Sequence, residues 1–315
     1  MSKSQFIVNG DIELYVRHIP SSTPSNQAVI FFNGYSSCVE SQFGIPMGSI
    51  SYGDYTAGRG IHAFLVDCRG SGSSTPVQEQ LMETMAEVSK PLTLQTYIDD
   101  ITHSVNYVKD TLGQDTEITL VGYSFLASFV LAYDNINPGK VKNLIIINPY
   151  WIKKYGPDDY GTRKDSSEIR SRTRVSMKFM INRLLTAPPE GLVFRENLWL
   201  DEAKSKYSEY TTSYDPLTET WYIPKRPDSI IVDYLLSNFT LPRLKANILM
   251  IGSQYDSETP SEKTQHFFDT LLTENKEFRI LPDATHLCIW EKARHTLYEW
   301  TADFILKESF ETINV

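Results

Sequence analysis

The most regular feature of the chain is a series of short, continuous hydrophobic runs. A run of this kind, without polar alternation, is typical of a strand that is buried on both faces of a sheet. The runs that predict such strands cover residues 28–33, 61–67, 117–122, 141–149, 246–252 and 277–281. Ahead of them, polar and apolar residues alternate on both sides of Asn9-Gly10, a dipeptide that favours a β-hairpin.

Segments with helical spacing separate several of these runs. Apolar residues recur in steps of four and three from Leu94 to Leu112, which predicts an amphipathic helix that ends at Gly113. Two more helices are predicted at about 260–273 and 291–307. This alternation of strands and helices predicts an α/β protein with a mainly parallel central sheet, flanked by helices on both faces.

The alternation is interrupted between residues 150 and 240. This segment is rich in aromatic residues, and its apolar residues follow helical spacing only in patches, for example at 175–185. We interpret it as a mostly helical insertion, a lid, within a core that comprises residues 1–149 and 241–315. Because an insertion of this size buries little surface by itself, we expect it to fold against the core and not independently.

Composition narrows the possible functions. The 315-residue chain has a net charge of −9, which argues against a nucleic-acid-binding protein, since such proteins need a basic surface. Its three cysteines lack metal-ligand spacing, so we predict reduced thiols, no metal and no cofactor. We find no secretory pattern and no hydrophobic run near the roughly 20 residues that span a bilayer, and we therefore expect a soluble, cytoplasmic protein without a transmembrane segment.

One stretch carries candidate chemistry: TLVGYSFLASFVL, at residues 119–131. Its order predicts a strand, a sharp turn that carries Ser124, and a helix. A serine nucleophile needs a base and a group that orients the base. Such groups gather beyond the carboxyl ends of parallel strands, and Asp256 and His286 each follow a predicted strand. Asp283 is a rival for the acid, but the strand-end position favours Asp256.

Five motifs in this order resemble the α/β-hydrolase family, from about residue 10 to residue 310. They are FFNGY at 31–35, DCRGSGSS at 67–74, GYS at 122–124, GSQYDSETP at 252–260 and THLCIWE at 285–291. The resemblance implies an α/β-hydrolase fold, with the lid inserted where the cap-bearing branch of the family carries one. It also implies a nucleophile elbow, an oxyanion loop, an acid loop and a histidine loop.

The resemblance assigns roles residue by residue. Ser124 would attack a carbonyl, His286 would act as general base and then as acid, and Asp256 would orient the imidazole. The backbone N–H groups of Tyr35 and Phe125 would form the oxyanion hole.

Two positions depart from the family pattern. Asn33 stands where the family often has histidine. Leu126 stands where a small residue is usual, because the helix that leaves the elbow crosses close to a neighbouring strand. We expect Leu126 either to separate these elements or to enter an enlarged space, with Ala127 and Ser128 keeping the packing tolerable.

The insertion bears on the substrate. Its aromatic residues, Trp151 and Trp199 among them, are expected to line an apolar acyl pocket or to pack within the lid. A basic run is expected either to attract an anionic substrate or an acyl-carrier partner, or to form a solvated face. The members of this run are Arg163, Lys164, Arg170, Arg172, Arg174 and Lys178.

The leading hypothesis is a serine hydrolase that cleaves an ester, a thioester or a related acyl bond through an acyl-enzyme. A carbon–carbon bond hydrolase that uses the same three residues is an alternative. Leu126 also leaves open a ligand-binding or receptor protein with slow turnover, and a cyclase or lyase on the same scaffold is a further alternative. An aspartate nucleophile is excluded because position 124 is serine. The sequence names neither the substrate nor the oligomeric state.

Overall fold

The computed structural model describes residues 2–34, 38–46, 49–74, 93–149, 241, 243–273 and 275–307, together with the backbone of three strands in the insertion. The described strands are β1 (Lys3–Asn9), β2 (Ile12–Ile19), β3 (Gln27–Phe32), β4 (His62–Val66), β5 (Glu117–Tyr123), β6 (Asn143–Ile147), β7 (Arg172–Ser176), β8 (Tyr214–Asp215), β9 (Thr220–Pro224), β10 (Asn247–Ser253) and β11 (Lys276–Leu281). The described α-helices are α1 (Tyr52–Gly58), α2 (Leu94–Leu112), α3 (Phe125–Ile136), α4 (Ser261–Thr270) and α5 (Arg294–Leu306).

Eight of these strands form one sheet in the order β1-β2-β4-β3-β5-β6-β10-β11. The pairs β1–β2 and β2–β4 are antiparallel, and every other neighbouring pair is parallel. The mainly parallel sheet that the sequence predicted is therefore confirmed. Because β3, β4, β5, β6 and β10 run in one direction, their carboxyl ends meet at one edge of the sheet.

The hydrophobic runs are continuous because both faces of the sheet are covered. In β3, Ala28, Ile30 and Phe32 pack into the cluster that contains α2 and α3. Val29 and Phe31 point to the opposite face, into a second cluster that contains α1 and α5. Successive side chains of a strand alternate between faces, so a strand in the middle of three layers needs apolar residues at every position.

The hairpin predicted around Asn9-Gly10 joins β1 to β2, with Asn9 paired to Ile12. Its two central residues are thus Gly10 and Asp11, and Gly10 has a φ of 61°. A glycine with positive φ at the first central position is the pattern of a type II′ turn. The dipeptide correctly marked the hairpin, although Asn9 belongs to the strand and not to the turn.

In the insertion, the residues that the structure describes are strands. β7 and β8 each pair antiparallel with β9. The helical spacing at 175–185 begins inside β7, at Val175 and Ser176, where the chain is extended. A short apolar patch does not distinguish helix from strand, and here backbone pairing with β9 prevails. The predicted lid helices lie outside the described residues, and the boundaries at 150 and 240 stay predictions.

Of the helices that the structure describes, none is long and apolar enough to cross a bilayer.

Candidate active site

Ser124 lies on a strained turn between β5 and α3. Its backbone has a φ of 52° and a ψ of −113°, a conformation that L-residues rarely adopt. The turn is tight: a Cβ atom at Gly122 would lie 2.6 Å from the Cα of Ala127. The Ser124 N–H donates to Ile147 O on β6 at 2.8 Å, which holds the turn against the neighbouring strand. Strain of this kind persists where the surroundings enforce it, typically at functional sites.

Leu126 does not prevent this turn. Its side chain is fully buried in the cluster on the α2–α3 face of the sheet. The close approach between the helix and the strand is made by Gly122 and the backbone at Ala127, so the residue that has to be small is the glycine. Leu126 therefore packs into the hydrophobic core, and the choice between separated elements and an enlarged space stays a prediction.

The structure brings Ser124, His286 and Asp256 into one hydrogen-bonded chain. Ser124 Oγ lies 2.9 Å from His286 Nε2, and His286 Nδ1 lies 2.8 Å from Asp256 Oδ2. The side chain of Asp256 is fully buried and that of His286 is 10% exposed. With Nδ1–H donating to the carboxylate, the neutral imidazole presents Nε2 as an acceptor to the serine hydroxyl.

The Asp256 carboxylate is held by its own loop. Oδ1 accepts the backbone N–H groups of Glu258 and Thr259, each at 2.7 Å, and Oδ2 accepts the Thr259 hydroxyl at 2.6 Å. The rival Asp283 is exposed, on a backbone with a φ of 51°, and its N–H donates to Gln254 Oε1 at 3.0 Å. The imidazole therefore faces Asp256 and not Asp283. Sequence reasoning missed Thr259, although its place inside the acid loop was a usable signal.

The loop that carries His286 is fastened on its far side by Glu291. This carboxylate accepts the Thr285 N–H at 2.8 Å and the Thr285 hydroxyl at 2.5 Å, and Glu291 is only 2% exposed. Its backbone carbonyl accepts Arg294 Nη1 at 3.0 Å. These contacts fix the residue immediately before the histidine, so the loop enters the site with little freedom.

The predicted oxyanion hole is described in part. Phe125 is the first residue of α3, next to Ser124, and Tyr35 lies outside the described residues. Gly34, which precedes Tyr35 in the sequence, approaches Ser124 so closely that a Cβ atom at position 34 would lie 3.2 Å from Ser124 Cβ. The Gly34 N–H donates to the buried Gln42 side chain at 2.7 Å, and its carbonyl accepts Asn33 Nδ2 at 2.9 Å. Gln42 was missed because its segment has no periodic pattern.

The loop DCRGSGSS, residues 67–74, is joined by hydrogen bonds to two neighbouring segments of the core. Asp67 Oδ1 accepts the Val39 N–H at 2.6 Å, which ties this loop to the segment after β3. Arg69 pairs with Asp100 through its backbone N–H at 2.8 Å and its Nε at 2.6 Å. Burial raises the pKa of Asp100 to about 6, although Arg69 opposes the rise. Asp67 and Arg69 thus brace this loop against neighbouring segments.

Thiol and metal chemistry find no support in this part of the chain. Cys38, Cys68 and Cys288 are buried and none of them forms a disulfide within the described residues, and burial raises the pKa of Cys38 and Cys288 far above the usual range of a thiol. Among the described residues, no group of three or more His, Cys, Asp or Glu side chains could hold a metal ion.

The substrate-binding predictions fall on residues whose side chains the structure does not describe. Trp151 and Trp199 lie outside the described residues, as do four members of the basic run. Arg172 and Arg174 are described only as backbone, in β7.

Comparison with known proteins places this geometry in a wider group. A family model described as the alpha/beta hydrolase fold matches residues 27–293. No curated protein gives a significant match to the sequence.

Three solved structures that resemble the chain are distant from it in sequence. A monoglyceride lipase variant from Saccharomyces cerevisiae aligns with a TM-score of 0.66 and 14% identity, over 96% of this chain and 94% of that one. An esterase from Thermogutta terrifontis gives 0.63 and 14%, over 96% and 98%. The thioesterase domain from the curacin biosynthetic pathway gives 0.62 and 13%, over 98% and 100%. At such identities the likeness concerns the fold, and with the family match over most of the chain it shows that this protein belongs to the α/β-hydrolase family.

Proposed function

We propose that this protein is a serine hydrolase that cleaves an ester, a thioester or a related acyl bond through an acyl-enzyme. The single observation that carries the proposal is the hydrogen-bonded chain from Ser124 Oγ through His286 to the buried Asp256. A lone serine on a turn has no means of losing its proton, whereas a serine that faces an oriented imidazole does.

The proposed reaction begins when Ser124 Oγ attacks the substrate carbonyl carbon and His286 Nε2 takes the hydroxyl proton. The imidazolium that forms is stabilised by Asp256, whose remaining acceptor sites are already filled by the Thr259 side chain and by two backbone N–H groups. The same Nε2 proton is then given to the leaving alcohol or thiol, which departs and leaves an ester on Ser124. Water, deprotonated by His286, releases the acid and restores the serine.

The charge on the carbonyl oxygen in the tetrahedral intermediate needs donors that are already in place. Phe125, at the start of α3, offers its backbone N–H, and we assign the second donor to Tyr35 on the strength of the family pattern. Losing one such donor typically lowers the rate by about 10²–10³-fold. Gln42 and Asn33 support this arrangement because they hold the peptide groups on either side of Gly34.

For the substrate we propose an apolar acyl group that is covered by the insertion, because that segment is rich in aromatic residues. The structural relatives support an acyl substrate in general terms: one is titled a monoglyceride lipase, one an esterase and one a thioesterase. We also propose that the basic run attracts an anionic substrate or an acyl-carrier partner. We further propose that the protein is cytoplasmic.

The decisive experiment compares Ser124→Ala with Ser128→Ala on p-nitrophenyl esters of graded acyl length. Ser128 is a matched control: it is buried on α3, the helix that begins directly after Ser124, and its hydroxyl has no hydrogen-bond partner among the described residues. We expect Ser124→Ala to lose at least about three orders of magnitude in kcat and to abolish labelling by a fluorophosphonate. Ser128→Ala should keep both.

Two results would count against the proposal. Hydrolysis by Ser124→Ala near the rate of the unmodified protein would remove the nucleophile assignment. Equal cleavage of acetyl and octanoyl esters would remove the apolar acyl group, because each buried CH₂ should add up to about 0.8 kcal/mol to binding.

A further inference from the structure

The main-chain carbonyl of His286 accepts hydrogen bonds from two buried side chains, at the ends of two neighbouring strands. The Tyr123 hydroxyl donates to His286 O, and Asn148 Nδ2 donates to the same oxygen at 3.2 Å. Tyr123 ends β5 and Asn148 follows β6, so the strand that leads to Ser124 and the strand next to it both contribute a side chain that reaches His286. The Tyr123 ring lies beside the imidazole, with ring centroids 5.7 Å apart.

Asn148 also contacts β10 and the residue two positions after His286. Its N–H donates to Ile251 O on β10 at 2.9 Å. Its side-chain Nδ2 lies 2.9 Å from Ser253 Oγ and 3.5 Å from Cys288 Sγ, in addition to the His286 carbonyl. Because a carbonyl oxygen can only accept, the amide must turn its nitrogen towards His286, which settles the orientation of the amide group.

Asn148 leaves one of its own polar atoms unsatisfied. Its Oδ1 is buried with no hydrogen-bond partner among the described residues, and burying an acceptor without a partner is unfavourable. Its φ of 44° lies in the left-handed region, which asparagine tolerates better than most residues. An apolar side chain would leave no acceptor unsatisfied, so the hydrogen bonds that the amide nitrogen donates are what the position requires.

We infer that Asn148 is a positioning residue for the base: it holds His286 by the main-chain carbonyl so that Nε2 stays on Ser124 Oγ, and Tyr123 reinforces the hold. The inference rests on the proposed function, since it concerns the same imidazole. Asp256 fixes the ring at Nδ1, but one hydrogen bond leaves the ring free to slide and tilt with its backbone. Anchoring the carbonyl removes that freedom.

Asn148→Asp isolates the contact. Aspartate keeps the shape of the side chain and tolerates a left-handed backbone, so little else changes. Ser253 and Cys288 can reverse and donate to the carboxylate, but the His286 carbonyl cannot, so it loses one donor and faces a negative charge. A displacement of about 1 Å in a catalytic group lowers the rate by roughly 10²-fold.

The matched control is Asn143→Asp, the same chemical change at the opposite end of β6. Asn143 is buried, and its neighbours Thr119 and Asn247 can both donate to a carboxylate. A general effect of a new charge on the strand would therefore appear in both variants.

The experiment measures kcat and KM on one ester, and the downfield ¹H NMR resonance of the His286 Nδ1 proton in the free protein. We expect Asn148→Asp to lower kcat by about 10–100-fold, to change KM by less than about twofold and to shift or broaden the resonance. Asn143→Asp should keep kcat and the resonance. Tyr123→Phe, which removes only the hydroxyl, should lower kcat by a smaller factor.

Several outcomes would overturn the inference. Unchanged kcat in folded Asn148→Asp is one, and an equal loss in Asn143→Asp is another. If Asn148→Asp does not fold, Asn148→Gly removes the side chain without strain, and an unchanged rate in that variant rejects the role. Full activity of Ser124→Ala would instead refute the proposed function, and the NMR resonance would still decide whether Asn148 positions the imidazole.

Discussion

Two buried carboxylates, Asp100 and Asp256, show how the same chemical group can have different partners. Asp100, on α2, is neutralised by the permanent cation of Arg69, through one backbone and one side-chain donor. Asp256 has no such partner in the part of the chain that the structure describes: it accepts two backbone N–H groups, the Thr259 hydroxyl and the His286 imidazole. Arg69 also donates to Thr96 O at 2.8 Å, so this pair belongs to a closed structural brace.

The difference teaches what a reactive site requires of a carboxylate. A guanidinium is always charged, so Arg69 opposes the charge of Asp100 whether or not a reaction takes place, although burial still raises the pKa of Asp100. An imidazole gains its charge only when it accepts a proton, and dipoles from N–H groups hold Asp256 ready for that moment without cancelling it. Burial is similar at the two positions, and the partner decides between a brace and a reaction centre.

The strongest way to break this comparison is to replace both acids by their amides. Asp256→Asn should lower kcat/KM on an ester by about 10³–10⁴-fold with little change in Tm, because the amide favours the wrong imidazole tautomer. Asp100→Asn should act mainly on Tm and lower kcat/KM by less than about tenfold.

The control for this pair is Asp283→Asn, which should behave as the unmodified protein because Asp283 is exposed and the imidazole pairs with Asp256. Steady-state kinetics and thermal denaturation of the three variants decide it. A larger loss in Asp283→Asn than in Asp256→Asn would transfer the acid role to Asp283.

The next effect concerns stability. Arg69→Gln leaves Asp100 buried without its cation, which should lower the free energy of unfolding by about 3 kcal/mol near neutral pH. The pKa of Asp100 in the folded protein is already raised to about 6 and rises further without Arg69. A raised folded pKa gives stability that is present below the unfolded value of about 3.9 and is lost as the pH rises through the folded value.

Arg69→Gln should therefore differ less from the unmodified protein at pH 5 than at pH 8, as measured by urea denaturation. Arg59→Gln is the matched control, since Arg59 pairs with Asp303 at 2.9 Å on the surface. That change should cost less than about 1 kcal/mol at either pH. A loss for Arg69→Gln that does not depend on pH would show that Asp100 is not what the arginine compensates.

The smallest effect comes from His18, an imidazole without a carboxylate partner among the residues that the structure describes. His18 Nε2 lies 3.1 Å from His62 Nδ1, and the His18 ring stacks on Phe64 at 4.1 Å. Burial, and then the neighbouring His62, lower the pKa of His18 to about 4. A lowered folded pKa means that its contribution to stability is complete above the unfolded value of about 6.5 and is lost as the pH falls towards 4.

His18→Phe keeps the stacked ring and removes the titration. We expect this variant to lose about 1 kcal/mol less stability than the unmodified protein between pH 7 and pH 4.5, a value discounted because the ring is partly exposed. Chemical denaturation at the two pH values measures it, with His295→Phe as a control on α5. An identical acid response in His18→Phe and the unmodified protein would reject the assignment.

Much of the core was accessible from the sequence because its signals are local. Continuous apolar runs marked the strands β3, β4, β5, β6, β10 and β11, and helical spacing marked α2 from Leu94 to Leu112. The positions of Ser124, Asp256 and His286 at strand ends were also predictable, since a parallel sheet brings those ends together. The insertion was harder, because patches of a few apolar residues fit a helix as well as a strand.

The contacts that support the site could not be read in the same way. Gln42 and Asn148 act through hydrogen bonds to groups on other segments, and no periodic pattern records such a partner. The place of Leu126 was also undecided, because the space available to it depends on how α3 packs over Gly122.

The sequence by itself determined the layered α/β architecture, the order of Ser124, Asp256 and His286 along the chain, and the family, because hydrophobic period and strand-end residues are local properties. Only the tertiary structure decided that Asp256 and not Asp283 meets the imidazole, that Leu126 enters the core, and that Asn148 grips the His286 carbonyl. These are choices between neighbours in space, and they depend on distances and directions that arise only when the strands are assembled.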